Sequence, residues 1–128
     1  MNCLRLLLPL LILSACAMAQ EKKYEMTRYV LGLLKKGPAW SAEVTEESKK
    51  IQAGHMANIQ KMADSGKLIV AGPTGGGTDL RGILIFNVSE PDEVRAMVEA
   101  DPALQSGRLK VELLPWFAAK GLKVDLPK

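Results

Sequence analysis

The central stretch of the chain, "GKLIVAGPTGGGTDLRGILIFNV" (66–88), contains two apolar runs separated by a glycine-rich connection. The runs "KLIVAG" (67–72) and "LRGILIFNV" (80–88) are rich in aliphatic and β-branched residues, which favour strands. The connection "PTGGGTD" (73–79) has the composition of a loop. The stretch therefore predicts two neighbouring strands that pair as a hairpin with a long loop.

A helix is predicted just before these two strands. Thr45 can cap its start, because a threonine side chain there accepts a hydrogen bond from a free backbone N–H group. Apolar residues and one histidine then recur at the spacing of one helix face: Ile51, His55, Ile59 and Met62. Gly66 is typical of the left-handed residue that follows the end of a helix.

Further elements are predicted on both sides of this region. A first strand is expected in "YEMTRYVLGLL" (24–34), and a second helix in "EPDEVRAMVEA" (90–100). That helix must end near Asp101-Pro102, because a residue before proline avoids helical geometry. A turn, "PALQSG" (102–107), and a last strand, "RLKVELLPWF" (108–117), follow. The order β-α-β-β-α-β predicts a ferredoxin-like α+β fold, with an antiparallel sheet and both helices on one face.

The predicted strands are apolar at consecutive positions, as in "LIVA" (68–71) and "ILIF" (83–86). Such runs indicate burial on both faces of a sheet. Two helices on one face leave the other face uncovered, and a second copy of the same sheet would cover it. We therefore predict a homodimer. The alternative is a sheet with one half-exposed face and some surface leucines.

The N-terminal segment "MNCLRLLLPLLILSACAMAQ" (1–20) has the pattern of a secretory signal. Its apolar run is too short to span a bilayer of roughly 30 Å as a helix. Two cleavage sites are compatible with this segment. Cleavage after "AMA" removes a signal peptide at 1–19 and leaves a domain at 20–128. The alternative, "LSAC", resembles a lipoprotein box, in which 1–15 is removed and Cys16 is lipidated. Either predicts an exported protein, periplasmic or extracellular, and a lipid anchor at Cys16 would be its only contact with a membrane.

Composition limits the possible sites of the domain. Both cysteines, Cys3 and Cys16, lie in the signal segment, and the chain has one histidine. This count argues against an internal disulfide and against a zinc site built from nitrogen or sulfur ligands, and we expect neither a metal nor a cofactor. The formal net charge is only +3 and the lysines are scattered, so no nucleic-acid partner is expected.

His55 and Asp101 are the candidate catalytic residues. The imidazole of His55 shares the apolar stripe, so it points toward the sheet, where a pocket can form, and histidine transfers protons near neutral pH. The alternative is a core histidine bonded to a carbonyl. Asp101 can orient an imidazole, or it can simply cap a helix that starts at Pro102. Their spacing in the sequence leaves the contact open.

Trp40 and Arg81 are candidate substrate-binding residues. Trp40 can form part of a pocket wall, as can Trp116, and Arg81 or Arg28 can bind an anionic substrate. The alternatives are that the tryptophans are ordinary core residues and that the arginines are exposed without a function. The segment "AGPTGGG" (71–77) lacks the Lys-Ser/Thr of a phosphate-binding loop and precedes a strand. Its glycines are therefore expected to form a mobile lid or a plain connection.

Several segments together resemble the YCII-related family over about residues 24–121: "KKGPAWSAE" (35–43), "GHMANIQKMADSGKLIVAGP" (54–73), "RGILIFNV" (81–88) and "EADPALQSGRLKVELLPW" (99–116). The resemblance implies a dimeric α+β barrel. It also implies a histidine–aspartate pair in a cleft, which here corresponds to His55 and Asp101, with Gly72 and Pro73 beside the pocket.

Two functions follow from the residues and the resemblance. The family includes a dehydrochlorinase of a chlorinated hydroxyquinol, and muconolactone isomerase-like proteins share the barrel. The first expectation is therefore a cofactor-free enzyme that performs elimination, isomerisation or hydrolysis on a small molecule. The second is a non-catalytic homodimer, structural or binding a small ligand. The export signal departs from the family, which is often cytoplasmic, and makes its cytoplasmic substrates doubtful here.

Overall fold

The computed structural model of the chain describes residues 23–122. Its elements are β1 (Met26–Lys36), α1 (Glu46–Asp64), β2 (Leu68–Pro73), β3 (Leu80–Phe86), α2 (Asp92–Glu99), α3 (Pro102–Gln105) and β4 (Leu109–Ala119). Within this range, no helix combines the length and the apolar character that crossing a membrane requires. The predicted signal segment and its two cleavage sites, including Cys16, lie outside the described residues.

The four strands form one antiparallel sheet in the order β2-β3-β1-β4. The predicted pairing of the two central apolar runs is confirmed by the β2–β3 ladder, in which Ala71 lies opposite Leu84. The prediction of a ferredoxin-like α+β fold is likewise confirmed. The predicted turn at 102–107 is the main difference, because its first four residues form the single helical turn α3.

One face of the sheet carries the helices and the main core. Val30 and Leu34 of β1 and Leu84 and Phe86 of β3 pack there against Met62 of α1 and against Val94 and Val98 of α2. Each of these side chains is at most 5% exposed. Burial of one such side chain contributes about 1.5–3 kcal/mol to folding. Both main helices therefore cover the same face of the sheet.

The opposite face of the sheet is also apolar. Side chains alternate along a strand, so Leu31 and Leu33 point away from the helices. In the ladders Leu31 lies opposite Ile85 and Leu114, and Leu33 lies opposite Ile83. These side chains are half-buried or exposed, and Leu114 is 37% exposed. The face predicted to pair with a second copy is therefore apolar along β1 and β3 and at Leu114, and Glu112, which lies opposite Leu33, borders it.

The start of α1 is fixed by a reciprocal pair of hydrogen bonds. The Ser48 backbone N–H donates to Thr45 Oγ1 at 3.0 Å, and the Thr45 N–H donates to Ser48 Oγ at 2.8 Å. At the other end, Gly66 has a φ of 76°, which a glycine adopts without strain. Thr45 and Gly66 thus have the positions that the sequence predicts for them, and α1 presents His55 toward the strands.

Candidate active site

His55 and Asp101 form a short side-chain contact between α1 and the start of α3. His55 Nδ1 lies 2.6 Å from Asp101 Oδ2. The side chain of His55 is 13% exposed and that of Asp101 is 3% exposed, so the contact is shielded from water. The structure thus brings together the two candidate catalytic residues, and the histidine bonds a carboxylate rather than a backbone carbonyl.

The carboxylate of Asp101 has a second partner that fixes its orientation. Oδ1 accepts a hydrogen bond of 2.8 Å from the Ala103 backbone N–H, as an N-cap residue does at the first turn of a helix. Pro102 occupies the first helical position, which suits its fixed φ. Both interpretations of Asp101 therefore hold at once: one oxygen caps α3, and the other contacts His55.

This geometry decides which ring nitrogen of His55 is available to a bound molecule. An ionised carboxylate only accepts hydrogen bonds, so Nδ1 carries the ring proton and donates it to Asp101. No partner for Nε2 is found among residues 23–122, and no fully buried side-chain nitrogen or oxygen there lacks one. Nε2 is therefore accessible, and it presents a lone pair to the space beside the ring.

Gly54 allows α1 to approach α3 closely. A Cβ added at Gly54 would lie 2.8 Å from Pro102 Cγ, which is closer than carbon atoms pack. Sequence reasoning missed this residue. The available signal was a glycine inside a helix, where it costs about 1 kcal/mol relative to alanine and often marks a close approach. Gly54 therefore sets the spacing that the contact between His55 and Asp101 requires.

A cavity of about 290 Å³ lies between α1 and the strands, and His55 forms part of its wall. This volume is near the lower end of the roughly 300–1,000 Å³ that small-molecule sites occupy. The wall is mostly apolar, and His55 and Arg81 are the only ionisable side chains that line it within residues 23–122. All four predicted substrate-binding residues contribute to the wall: Trp40, Gly72, Pro73 and Arg81.

Asp101 is not part of the cavity wall and acts on the site only through His55. Gln52, Met56 and Ile59 also line the cavity, although none of them was predicted as a site residue. Positions 52, 55, 56 and 59 together have the i, i+3, i+4, i+7 spacing of one helix face, so the periodicity of α1 was a usable signal for them.

Arg81 reaches the cavity because the β1–β3 ladder is irregular beside it. Leu34 lies opposite Gly82 and Lys35 lies opposite Leu80, so Arg81 is an extra residue on β3. Such a bulge redirects the side chain of the extra residue. The irregularity explains how Arg81 shares the cavity wall with its neighbour Gly82.

Trp40 is held at the cavity by a tight turn at 37–40. The Trp40 N–H donates to the Gly37 carbonyl at 3.1 Å, and Pro38 occupies the second position of the turn, where its φ is suited. The Gly37 and Ala39 N–H groups donate to the Arg108 and Gly107 carbonyls at 3.0 and 2.9 Å. The turn is thereby attached to the start of β4.

The two other candidates that the sequence offered lie away from the cavity. Trp116 packs near Tyr29, with ring centroids 6.1 Å apart. Arg28 forms an ion pair of 2.6 Å with Glu90. Neither residue lines the cavity, so they do not contribute to this site.

Comparisons with known proteins agree with this fold. A family model described as the YCII-related domain matches residues 27–117. A similar solved structure is the 5-chloro-2-hydroxyhydroquinone dehydrochlorinase from Burkholderia phenoliruptrix, in complex with 2,5-dihydroxybenzoquinone. It is 28% identical with a TM-score of 0.50, and the match covers 69% of this chain and 92% of that chain. The search of curated proteins finds no match.

Proposed function

Because this chain belongs to the YCII-related family, we propose that it is a cofactor-independent enzyme that uses His55 for proton transfer on a small molecule. The observation that carries the proposal is the 2.6 Å contact between Asp101 and a histidine that also lines an apolar cavity. A histidine with no catalytic use needs neither the carboxylate nor access to the cavity.

The proposed roles follow from the two nitrogens of the ring. Nε2 of His55 takes a proton from the bound molecule, and the ring becomes positively charged. The carboxylate of Asp101 stabilises this charge and holds the ring so that Nε2 faces the cavity. Asp101 is thus a positioning residue, since it contacts no bound molecule. A positioned general base typically accelerates a reaction about 10²–10⁴-fold.

Elimination is the reaction class that the comparison favours. The similar protein is named a dehydrochlorinase, an enzyme whose product has lost hydrogen chloride. Such a loss needs a base that accepts a proton as chloride departs, and Nε2 of His55 is suited to that role. Isomerisation uses the same proton acceptance followed by return of the proton to another atom, so the site supports this class as well.

A homodimer is the second part of the proposal. The helix-free face has an apolar patch formed by Leu31, Leu33, Ile83, Ile85 and Leu114, with Glu112 at its border. Exposure of such an apolar face to water is energetically unfavourable, and the same face of a second copy would cover it. Pairing of two sheets would also restrain β1 and β3, which carry part of the cavity wall.

The test of the catalytic proposal is chloride release from 5-chloro-2-hydroxyhydroquinone, measured for the wild type and for His55→Gln. We expect the wild type to release chloride and the variant to lose about 10²-fold or more of the rate. Gln60→Ala is the matched control, since Gln60 lies on the exposed side of the same helix. A wild type without release, or a His55→Gln variant that keeps the wild-type rate, contradicts the proposal.

A further inference from the structure

Three cationic side chains surround the ring of Trp40. The Cζ atoms of Arg81 and Arg108 lie 4.7 and 5.1 Å from the ring centroid, and Nζ of Lys36 lies 5.8 Å from it. We refer to Trp40, Lys36, Arg81 and Arg108 as the Trp40 cluster. It stands at the edge of the cavity, because Trp40 and Arg81 are part of the cavity wall.

Arg108 lines a second hollow, which adjoins the cavity along α1. This hollow is lined by Arg108 and by Lys49, and it shares Gln52 and Met56 with the cavity that contains His55. The two spaces are therefore neighbours, and the Trp40 cluster contributes Trp40 and Arg81 to one and Arg108 to the other. A molecule in the cavity would have cations along one end.

None of the three cations has a carboxylate within 4.0 Å among residues 23–122. Arg28 provides an internal contrast, since it also lies over an aromatic ring, 5.1 Å from the centroid of Phe117, yet it pairs with Glu90 at 2.6 Å. The acids near the end of β1 act on Lys35 instead. A hydrogen bond and the charge of Glu112, together with Asp79, raise the pKa of Lys35.

Clustering of three positive charges without a carboxylate is unfavourable unless an anion joins them. The indole ring reduces this cost, because its face attracts cations. A guanidinium that lies over an aromatic ring keeps the N–H groups at its edge free, and these groups match the two oxygens of a planar anion. With respect to residues 23–122, the Trp40 cluster therefore has unused hydrogen-bond donors and unbalanced positive charge next to the cavity.

We propose that the molecule handled at His55 is a small cyclic anion, whose oxygens bind Arg81 and Arg108 while its ring occupies the apolar cavity. The limited volume of the cavity and its apolar wall favour a molecule with a single ring. Trp40 acts as a positioning residue that holds the guanidinium groups. This inference rests on the proposed function for the identity of the reacting group, but the anion site is testable by binding alone.

The experiment is calorimetric titration of the protein with benzoate, with neutral benzamide and with 2,5-dihydroxybenzoquinone. We expect benzoate or the hydroxyquinone to bind at least about tenfold more tightly than benzamide, because charged hydrogen bonds contribute this much. Whichever of the two anions binds more tightly shows whether the site prefers a carboxylate or an enolic oxygen. Equal binding of benzamide, or binding by none of the anions, overturns the inference.

Variants locate the binding to the Trp40 cluster. Arg81→Gln should weaken binding of the preferred anion about tenfold or more, and Arg108→Gln should weaken it several-fold. Arg28→Gln is the matched control, since Arg28 lies over an aromatic ring but is already paired, and its affinity should equal that of the wild type. An Arg81→Gln variant that binds the anion like the wild type overturns the inference.

His55→Gln separates this inference from the proposed function. If the variant keeps anion affinity and loses turnover, both stand. If it keeps turnover while Arg81→Gln loses the anion, the catalytic role of His55 fails and the anion site stands. If it loses turnover while Arg81→Gln binds the anion normally, the catalytic role stands and the anion site fails.

Discussion

Gly54 and Pro102 lie in such close contact that a Cβ at Gly54 would come within 2.8 Å of Pro102 Cγ. This contact brings α1 against the short helix α3. The two residues of the proposed site are its direct neighbours in the chain: His55 follows Gly54, and Asp101 precedes Pro102. The spacing of the two helices therefore controls the distance between the imidazole and the carboxylate.

Gly54→Ala is expected to lower activity more than stability. The added methyl group pushes α1 away from the rigid ring of Pro102 and lengthens the contact between His55 and Asp101. Alanine gains about 1 kcal/mol of helix propensity over glycine, which offsets part of the steric cost. A displacement near 1 Å can reduce the rate about 10²-fold. The measurement is kcat together with thermal unfolding.

Gly75→Ala is the matched control for this substitution, because an added Cβ at Gly75 meets nothing within 4 Å. It should leave both kcat and the unfolding temperature near wild-type values. A Gly54→Ala variant with wild-type kcat would show that the spacing of α1 and α3 does not matter for the reaction.

Asp101→Asn should preserve the fold and reverse the protonation of the His55 ring. The asparagine oxygen still caps α3 by accepting from Ala103, but its amide group now donates to Nδ1, so the proton moves to Nε2. Because the chain has a single histidine, the ring ¹⁵N signals of labelled protein report this change without assignment. We expect the rate to fall roughly 10²–10⁴-fold.

Asp101→Ala separates the cap from the ring contact. It removes both hydrogen bonds of the carboxylate, and loss of the cap alone costs about 1 kcal/mol. The alanine variant should therefore unfold at a lower temperature than the asparagine variant while being equally inactive. If the ¹⁵N spectrum of Asp101→Asn matches that of the wild type, the assigned tautomer is wrong.

Leu114→Glu is expected to convert a homodimer into monomers. Leu114 lies opposite Leu31 on the helix-free face and is already 37% exposed, so a charge there disturbs the single chain little. In a dimer of facing sheets the same charge would be buried without a partner, which is costly. Molar mass by light scattering measures the change, and Val44→Glu, at a 75% exposed loop position, is the control. A wild-type protein with the mass of a monomer contradicts the pairing of sheets.

Glu93→Gln should reduce stability at neutral pH but not in acid. Glu93 Oε1 accepts hydrogen bonds from the N–H groups of Glu90 and Ser89 and from the Ser89 hydroxyl. These hydrogen bonds hold the pKa of Glu93 below its ordinary value of 4.5, and the bond from the Glu90 N–H has the largest effect. A lowered pKa contributes stability above the unfolded value, and this contribution is lost as the pH falls through the folded value.

The measurement for Glu93 is the unfolding temperature of both proteins as a function of pH. The difference between wild type and variant should be constant near neutrality and should shrink below about pH 4.5. Glu99→Gln, at the other end of α2, makes the same change in net charge and serves as control. A difference that persists unchanged in acid would show that the charge of Glu93 is not involved.

The sequence was sufficient for the fold because each main element has its own local signal. The stripe through Ile51, Ile59 and Met62 identified α1, and the apolar runs on both sides of the glycine-rich loop identified β2 and β3. The helix α3 was predicted only through the alternative role of Asp101 as a cap, and a turn was preferred for the segment itself, because one turn of helix has no periodicity and proline, serine and glycine in "PALQSG" are equally typical of a turn.

The site was only partly predictable from the sequence. Helical spacing placed His55 toward the sheet, but the pairing with Asp101 came from the family resemblance, because periodicity says nothing about contacts between distant segments. Arg81 was proposed from its residue type alone, and the bulge that directs it is a property of the β1–β3 ladder. Arg108 was missed because its approach to Trp40 depends on the hydrogen bonds that join the turn at 37–40 to β4.

The double use of the Asp101 carboxylate affects how related sequences can be interpreted. Since one oxygen holds the first turn of α3, selection for a folded chain alone would retain a capping side chain at this position, aspartate or asparagine, even in a descendant that no longer catalyses anything. His55 does not cap a helix, and its replacement would leave only the second oxygen of Asp101 without its partner. Among natural variants, replacement of the histidine while the aspartate persists would therefore identify members that have lost the catalytic group and retained the fold.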